Sequence, residues 1–154
     1  MTDATPAPLA GAATNVRGDA LRSPLLPGAA LRVLLVDDDA FTLDFVSELL
    51  RQLGVADIVT AADGARGIAA FDQASPKPDL VVADLLMPGQ DGFHLLTGLA
   101  ERRYGGGVIL LSGQEDRVLN SAKLMARFHQ LQVLAALPKP VDRQALGRAI
   151  ARLN

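Results

Sequence analysis

The segment LRVLLVDDD, residues 31–39, runs from a short apolar stretch into three consecutive aspartates, and LVVAD, residues 80–84, repeats the pattern with one. Each run is short and rich in Val and Leu, as in a strand buried on both faces. Neighbouring parallel strands lie about 4.8 Å apart, so two such strands side by side would bring Asp37, Asp38 and Asp84 together. Carboxylates at that spacing repel one another strongly in a partly dry site. A cation relieves the repulsion, and an all-oxygen ligand set suits Mg²⁺. The pattern therefore predicts a hard-metal site at the carboxyl edge of a parallel sheet, where open α/β folds place their chemistry.

The remaining composition narrows the field. At 154 residues with 49% hydrophobic content, the chain suits one domain with a proper core. A net charge of −2 gives no electrostatic case for nucleic acid or an anionic membrane surface. With no cysteine, disulfides and thiolate metal sites are excluded. No apolar run reaches the roughly 18 residues of a membrane span, and no basic-then-apolar leader opens the chain. The expectation is a cytoplasmic protein that binds neither membrane nor nucleic acid.

Residues 1–30 are rich in Ala, Pro and Gly, with Pro6, Pro8, Pro24 and Pro27 and no aromatic residue, and read as a disordered tail. From residue 31 to 154 the chain alternates short apolar runs with amphipathic stretches, the signature of βα repeats. Strands are predicted at 31–36, 56–60, 79–83, 108–111 and 133–137. Helices are predicted at 40–53, 64–74, 91–101, 116–130 and 142–152. In the first helix Phe41, Phe45, Val46, Leu49, Leu50 and Leu53 share one face, and Gly54 supplies a stop. Pro138, lacking a ladder donor, suits an edge strand.

Read together, the strand ends present Asp37–Asp38–Asp39, Asp84, Ser112–Gly113 and Lys139–Pro140 on one rim. Acidic metal ligands, a hydroxyl and an ammonium are what phosphoryl transfer to a carboxylate requires. VDDD after the first strand, ADLLMPGQDG around Asp84, LLSG after the fourth and PKP after the fifth resemble the receiver domain of two-component response regulators. The resemblance runs from Leu31 to Leu153. It implies a flavodoxin-like α/β fold: a three-layer (βα)5 sandwich around a five-stranded parallel sheet of order 2-1-3-4-5. It implies that Asp84 is the phosphoacceptor for a sensor histidine kinase or histidine phosphotransfer protein. Asp37, Asp38, Asp84 and the backbone carbonyl of Leu86 would hold Mg²⁺ or Mn²⁺, Ser112 a phosphoryl oxygen, and Lys139 first the carboxylate and then the phosphate. The Lys139–Pro140 bond would be cis. Such a domain is a phosphoacceptor that assists its own modification rather than an enzyme. It would signal through the surface of its fourth helix, fifth strand and fifth helix.

Several residues have plainer roles. Asp39 reads as the N-cap of the first helix, Asp91–Gly92 as a cap and turn, His94 and His129 as surface or packing residues, and Tyr104 as a partly buried loop residue. Ala136 stands where receivers usually carry an aromatic switch, and Leu86 has no polar side chain to orient an attacking water. The stretch SAKLMARFHQLQVLAALPKP is similar to receivers attached to cyclic-di-GMP phosphodiesterase output domains. Two alternatives remain open here. LLVDDDAFTLD loosely resembles haloacid-dehalogenase phosphatases, which would make Asp37 or Asp38 the nucleophile, and a pseudo-receiver would bind a partner without phosphorylation.

Overall fold

A computed structural model describes residues 31–85, 87, 91–113 and 130–153. The predicted tail at 1–30, the predicted fourth helix at 116–130 (except residue 130), Leu86, Gln114 and His129 lie outside the described residues. In chain order the elements are β1 (Arg32–Val36), α1 (Ala40–Gln52), β2 (Asp57–Ala61), α2 (Gly64–Gln73), β3 (Leu80–Asp84), α3 (Asp91–Glu101), β4 (Gly107–Ser112), β5 (Gln132–Pro138) and the C-terminal helix α4 (Arg143–Ile150).

All five strands are parallel and pair in the order β2-β1-β3-β4-β5, the predicted 2-1-3-4-5 arrangement. The order puts β3 at the centre and β5 at an edge, which tolerates Pro138. The apolar runs are continuous because helices cover both faces. Leu34, Val36, Val81, Ala83, Val108 and Leu110 pack with Phe71 of α2 and Leu95, Leu96 and Leu99 of α3. Val33, Leu35, Val82, Ile109 and Leu111 face Val46, Leu49 and Leu50 of α1 and Leu146 and Ile150 of α4. Truncating any of the fully buried leucines to alanine would cost about 2–5 kcal/mol.

Local chemistry sets the helix boundaries. Asp63 accepts from Arg66 N at 2.7 Å to cap α2, and Asp142 accepts from Ala145 N at 2.9 Å to cap α4. Gly54 follows α1 at φ 98°, the left-handed conformation that ends a helix at low cost. At the foot of the sheet Arg32 N donates to Asp79 Oδ2 at 2.9 Å and Asp79 N to Arg32 O at 2.8 Å, latching β1 to the start of β3.

The structure corrects four expectations. Asp84 is the last residue of β3 rather than the first beyond it, so the strand itself fixes its backbone. Phe41 is 71% exposed, stacked on Phe45 at 5.9 Å, because the first turn of α1 stands at the carboxyl edge where the sheet ends. Gly92 is helical, the second residue of α3, rather than part of a preceding turn. Tyr104 is fully buried: its hydroxyl donates to Pro78 O at 3.0 Å and its ring meets Phe71 edge-on.

The β4–β5 pairing contains one irregularity. Val108 pairs with Val133 but Ile109 with Ala135, leaving Leu134 as an extra residue in β5. On one side of it Val133 packs toward α2 and α3, and on the other Leu137 packs toward α1 and α4. In an unbroken strand residues 133 and 137 would share a face. The bulge reverses the parity of everything after it.

Candidate functional site

That parity decides which side chains meet above the sheet. Asp37 follows Leu35 by two residues, Asp84 follows Val82 by two, and Lys139 follows Leu137 by two. Leu35, Val82 and Leu137 all lie on the α1 side, so the alternation aims both carboxylates and the ammonium the same way.

Asp37 is fully buried just beyond β1, with its N–H donating to Ala61 O at 3.1 Å. Its Oδ1 accepts from Asp39 N at 2.8 Å. Its Oδ2 lies 2.8 Å from Lys139 Nζ, an ion-pair contact without hydrogen-bond alignment. Asp84 is 4% exposed and accepts from Lys139 Nζ through Oδ2 at 3.0 Å. Lys139 is held in turn by its own N–H, which donates to Ser112 O at 3.0 Å, and its bond to Pro140 is cis. Asp38 is exposed beside them.

Ser112 ends β4 with 0% exposure, and its Oγ has no hydrogen-bond partner among the described residues. A buried hydroxyl without a partner costs roughly 1–3 kcal/mol, so its presence calls for an explanation beyond packing. Asp39 takes the capping role expected of it: Oδ1 accepts from Phe41 N at 3.3 Å and Oδ2 from Thr42 Oγ1 at 2.8 Å. Thr42 was not anticipated, although its spacing three residues after an N-cap acid was the available signal. Gly113 follows Ser112 with open space where a Cβ would stand. His94 is exposed on α3 and is not among the residues that meet at this site.

Electrostatics follow from this packing. Burial is the largest influence on Asp37 and pushes its carboxyl above the ordinary value, although Lys139 and the Asp39 N–H pull the other way. Burial works against the Lys139 ammonium, yet the Asp37 and Asp84 carboxylates together hold it above its usual value. The Thr42 hydroxyl leads the influences that keep Asp39 below the ordinary carboxylate value.

Asp37, Asp38 and Asp84 each offer one carboxylate oxygen, and these oxygens lie within 4.8 Å of one another. An octahedral ion with ligands at 2.0–2.1 Å holds opposite oxygens about 4.2 Å apart, so a small contraction would suffice. The donors are all hard oxygens, and Asp37 is fully buried with its Oδ2 lacking a hydrogen-bond partner among the described residues. These residues fit a small divalent cation.

The model of the response regulator receiver domain family matches residues 33–151. The chain is 32% identical over 126 residues to the chemotaxis protein CheY of Treponema pallidum, covering 80% of this chain and 83% of that protein. It is 28% identical to the positive alginate biosynthesis regulatory protein of Pseudomonas aeruginosa, covering 80% of this chain but only 47% of that longer protein. A receiver domain protein from Clostridium thermocellum matches at TM-score 0.69 and 27% identity, covering 79% of this chain and 92% of that one. The CheX–CheY–BeF3–Mg²⁺ complex from Borrelia burgdorferi matches at TM-score 0.67 and 27% identity, covering 79% and 87%.

Proposed function

The chain belongs to the response regulator receiver family, and on that premise we propose that Asp84 accepts a phosphoryl group from a phosphohistidine of a sensor kinase or histidine phosphotransfer protein. The observation that carries this reading is the pairing of a buried Asp84 carboxylate with the Lys139 ammonium 3.0 Å away, with the buried Ser112 hydroxyl, partnerless among the described residues, at the end of the adjacent strand β4.

A carboxylate oxygen of Asp84 attacks phosphorus in line with the departing imidazole nitrogen. As the new oxygen–phosphorus bond forms, the phosphorus–nitrogen bond breaks and its electron pair returns to the ring. Lys139, freed from pairing with the carboxylate, follows the charge onto a phosphoryl oxygen, and Ser112 Oγ–H donates to another. Asp37, Asp38 and Asp84, with the backbone carbonyl of Leu86, would hold Mg²⁺ or Mn²⁺, which would offset charge on the phosphoryl oxygens. The similar CheY from Borrelia was solved as a complex with BeF3 and Mg²⁺, which supports that assignment.

The domain comprises residues 31–154, with 1–30 as a preceding tail. No second substrate is involved: the protein itself is modified. The phosphorylated state then acts through the segment after Gly113, β5 and α4 on an output partner, for which a cyclic-di-GMP phosphodiesterase module is one candidate. No helix among the described residues is long and apolar enough to cross a membrane, in keeping with a cytoplasmic setting.

Incubation with a small acyl phosphate and Mg²⁺ should label Asp84, chelation should suppress labelling, and Asp84→Asn should abolish it. Undiminished label on the Asp84→Asn protein, or label on Asp37 or Asp38, would overturn the reading. The latter result would favour a phosphatase-type nucleophile.

A further inference from the structure

The first turn of α3 meets the end of β3 through a residue with no side chain. A Cβ on Gly92 would lie 2.5 Å from the carbonyl oxygen of Leu85, 2.7 Å from that of Asp84 and 2.9 Å from the Leu85 carbonyl carbon. All three neighbours are backbone atoms, which cannot rotate aside as a side chain does. Neither element has room to retreat. β3 is the central strand, paired on both sides, and Leu85 N is tied to Leu111 O at 2.9 Å. α3 is seated in the core by Leu95, Leu96 and Leu99.

We propose that Gly92 is a positioning residue for Asp84: the absence of its Cβ sets how closely α3 lies on the Asp84 and Leu85 carbonyls, and thereby where the acceptor carboxylate stands. Relieving the tightest contact, 2.5 Å, to the 3.0 Å that real Cβ atoms keep takes about 0.5 Å of movement. One of the displaced groups is Asp84's own carbonyl, so the shift passes directly to its Cα and carboxylate. That carboxylate must keep 3.0 Å to Lys139 Nζ and share a cation with Asp37 and Asp38. Magnesium tolerates little departure from octahedral geometry, and misplacement by about 1 Å costs about a hundredfold in rate.

The molecule supplies its own controls. A Cβ on Gly98 would meet Ile68 Cδ1 at 2.6 Å and Cγ1 at 3.1 Å, and one on Gly67 would meet Val36 Cγ2 at 3.0 Å. The Gly98 contact presses on an α2 side chain away from the strand ends, whereas Val36 ends β1 immediately before Asp37. Gly98→Ala should therefore disturb packing without moving Asp84.

The test compares Gly92→Ala with Gly98→Ala in the full chain, by two readouts. In the metal-free proteins, the Asp84 and Leu85 carbonyl carbon resonances should move in Gly92→Ala and stay in place in Gly98→Ala. By calorimetric titration, Gly92→Ala should bind Mg²⁺ about ten- to a hundredfold more weakly, while Gly98→Ala stays within about twofold of the parent. Equal Mg²⁺ affinities and unmoved carbonyl resonances in the two variants would overturn the proposal.

The Mg²⁺ readout rests on the receiver reading, whereas the carbonyl resonances do not. Failure of the parent protein to bind Mg²⁺ would count against the receiver reading, and the resonances would still decide the role of Gly92. Should Gly92→Ala not fold, amide exchange in the parent takes its place. Residues 92–96 should exchange more slowly with Mg²⁺ than without, because fixing Asp84 fixes the turn resting on it. Unchanged exchange there would overturn the proposal.

Discussion

Replacing Asp37 with asparagine should make the metal-free protein more stable while removing its response to magnesium. Oxygens of Asp37 and Asp84 lie within 4.8 Å, where two unit charges at an effective dielectric of 20 repel by about 3.5 kcal/mol. Asp37 Oδ2 and Lys139 Nζ lie 2.8 Å apart, giving an attraction of about 6 kcal/mol on the same scale. The difference favours the ion by roughly 2–3 kcal/mol, but removing a carboxylate from water costs several kcal/mol. Asp38 adds further repulsion. The raised Asp37 carboxyl has the sign this balance requires.

Asparagine keeps an oxygen for the Asp39 N–H, and Lys139 keeps Asp84 as its partner at 3.0 Å. In EDTA the variant should therefore gain about 1–3 kcal/mol, raising the urea midpoint by about 1 M. Magnesium at about a hundredfold above Kd should stabilise the parent by about 2.7 kcal/mol and the variant by little. The two curves should converge or cross. A variant less stable than the parent in EDTA, or one that keeps the full magnesium response, would refute the reasoning. The pH dependence follows from the same balance. A carboxyl raised on folding contributes stability that is complete below the ordinary value of 3.8 and lost as pH rises through the raised one. The EDTA gap between variant and parent should therefore narrow on acidification from neutrality, and do so above pH 3.8.

Ser112→Ala should accept phosphate from an acyl phosphate more slowly, since one charge-assisted hydrogen bond of about 1.5–3 kcal/mol is lost. It should also lose most of the phosphorylation-dependent amide shifts beyond Gly113, because Ala136 provides no ring to carry the signal; a full response would place the coupling in Lys139 and β5. Asp39→Ala should lower the urea midpoint through loss of the α1 cap yet leave Mg²⁺ affinity within about twofold. Because Asp39 is held below 3.8, its contribution should disappear only as pH falls through that lowered value. Loss of magnesium binding in Asp39→Ala would instead make Asp39 a ligand.

The site was legible wherever a strand end announced itself. Apolar runs terminating in Asp37, Asp84, Ser112 and Lys139 placed all four groups on one rim, and the observed strand order brings the acids and the lysine into contact. What the sequence concealed has physical causes. Phe41 fits the apolar period of α1, but periodicity does not say where the covering sheet stops. Gly92 looks like any turn glycine after an aspartate, because a one-dimensional pattern holds no record of a carbonyl lying against a Cα. The β5 bulge is invisible because QVLAALP is almost wholly apolar, with no alternation to slip out of phase. The partnerless Ser112 hydroxyl likewise emerges only from three-dimensional accounting.

The extra residue in β5 has a consequence for tolerance to insertion and deletion. Removing Leu134 would take out the bulge while the later residues of β5 keep their partners on β4. It would restore the uninterrupted alternation and leave Leu137 opposite Leu111, with Lys139 still on the α1 side of the sheet beside the two acids. The reading frame of the pleat, more than the length of the strand, is what joins the lysine to the acids. A bulge-free strand one residue shorter would present the lysine on the same face, so a transplant of this site need not carry Leu134.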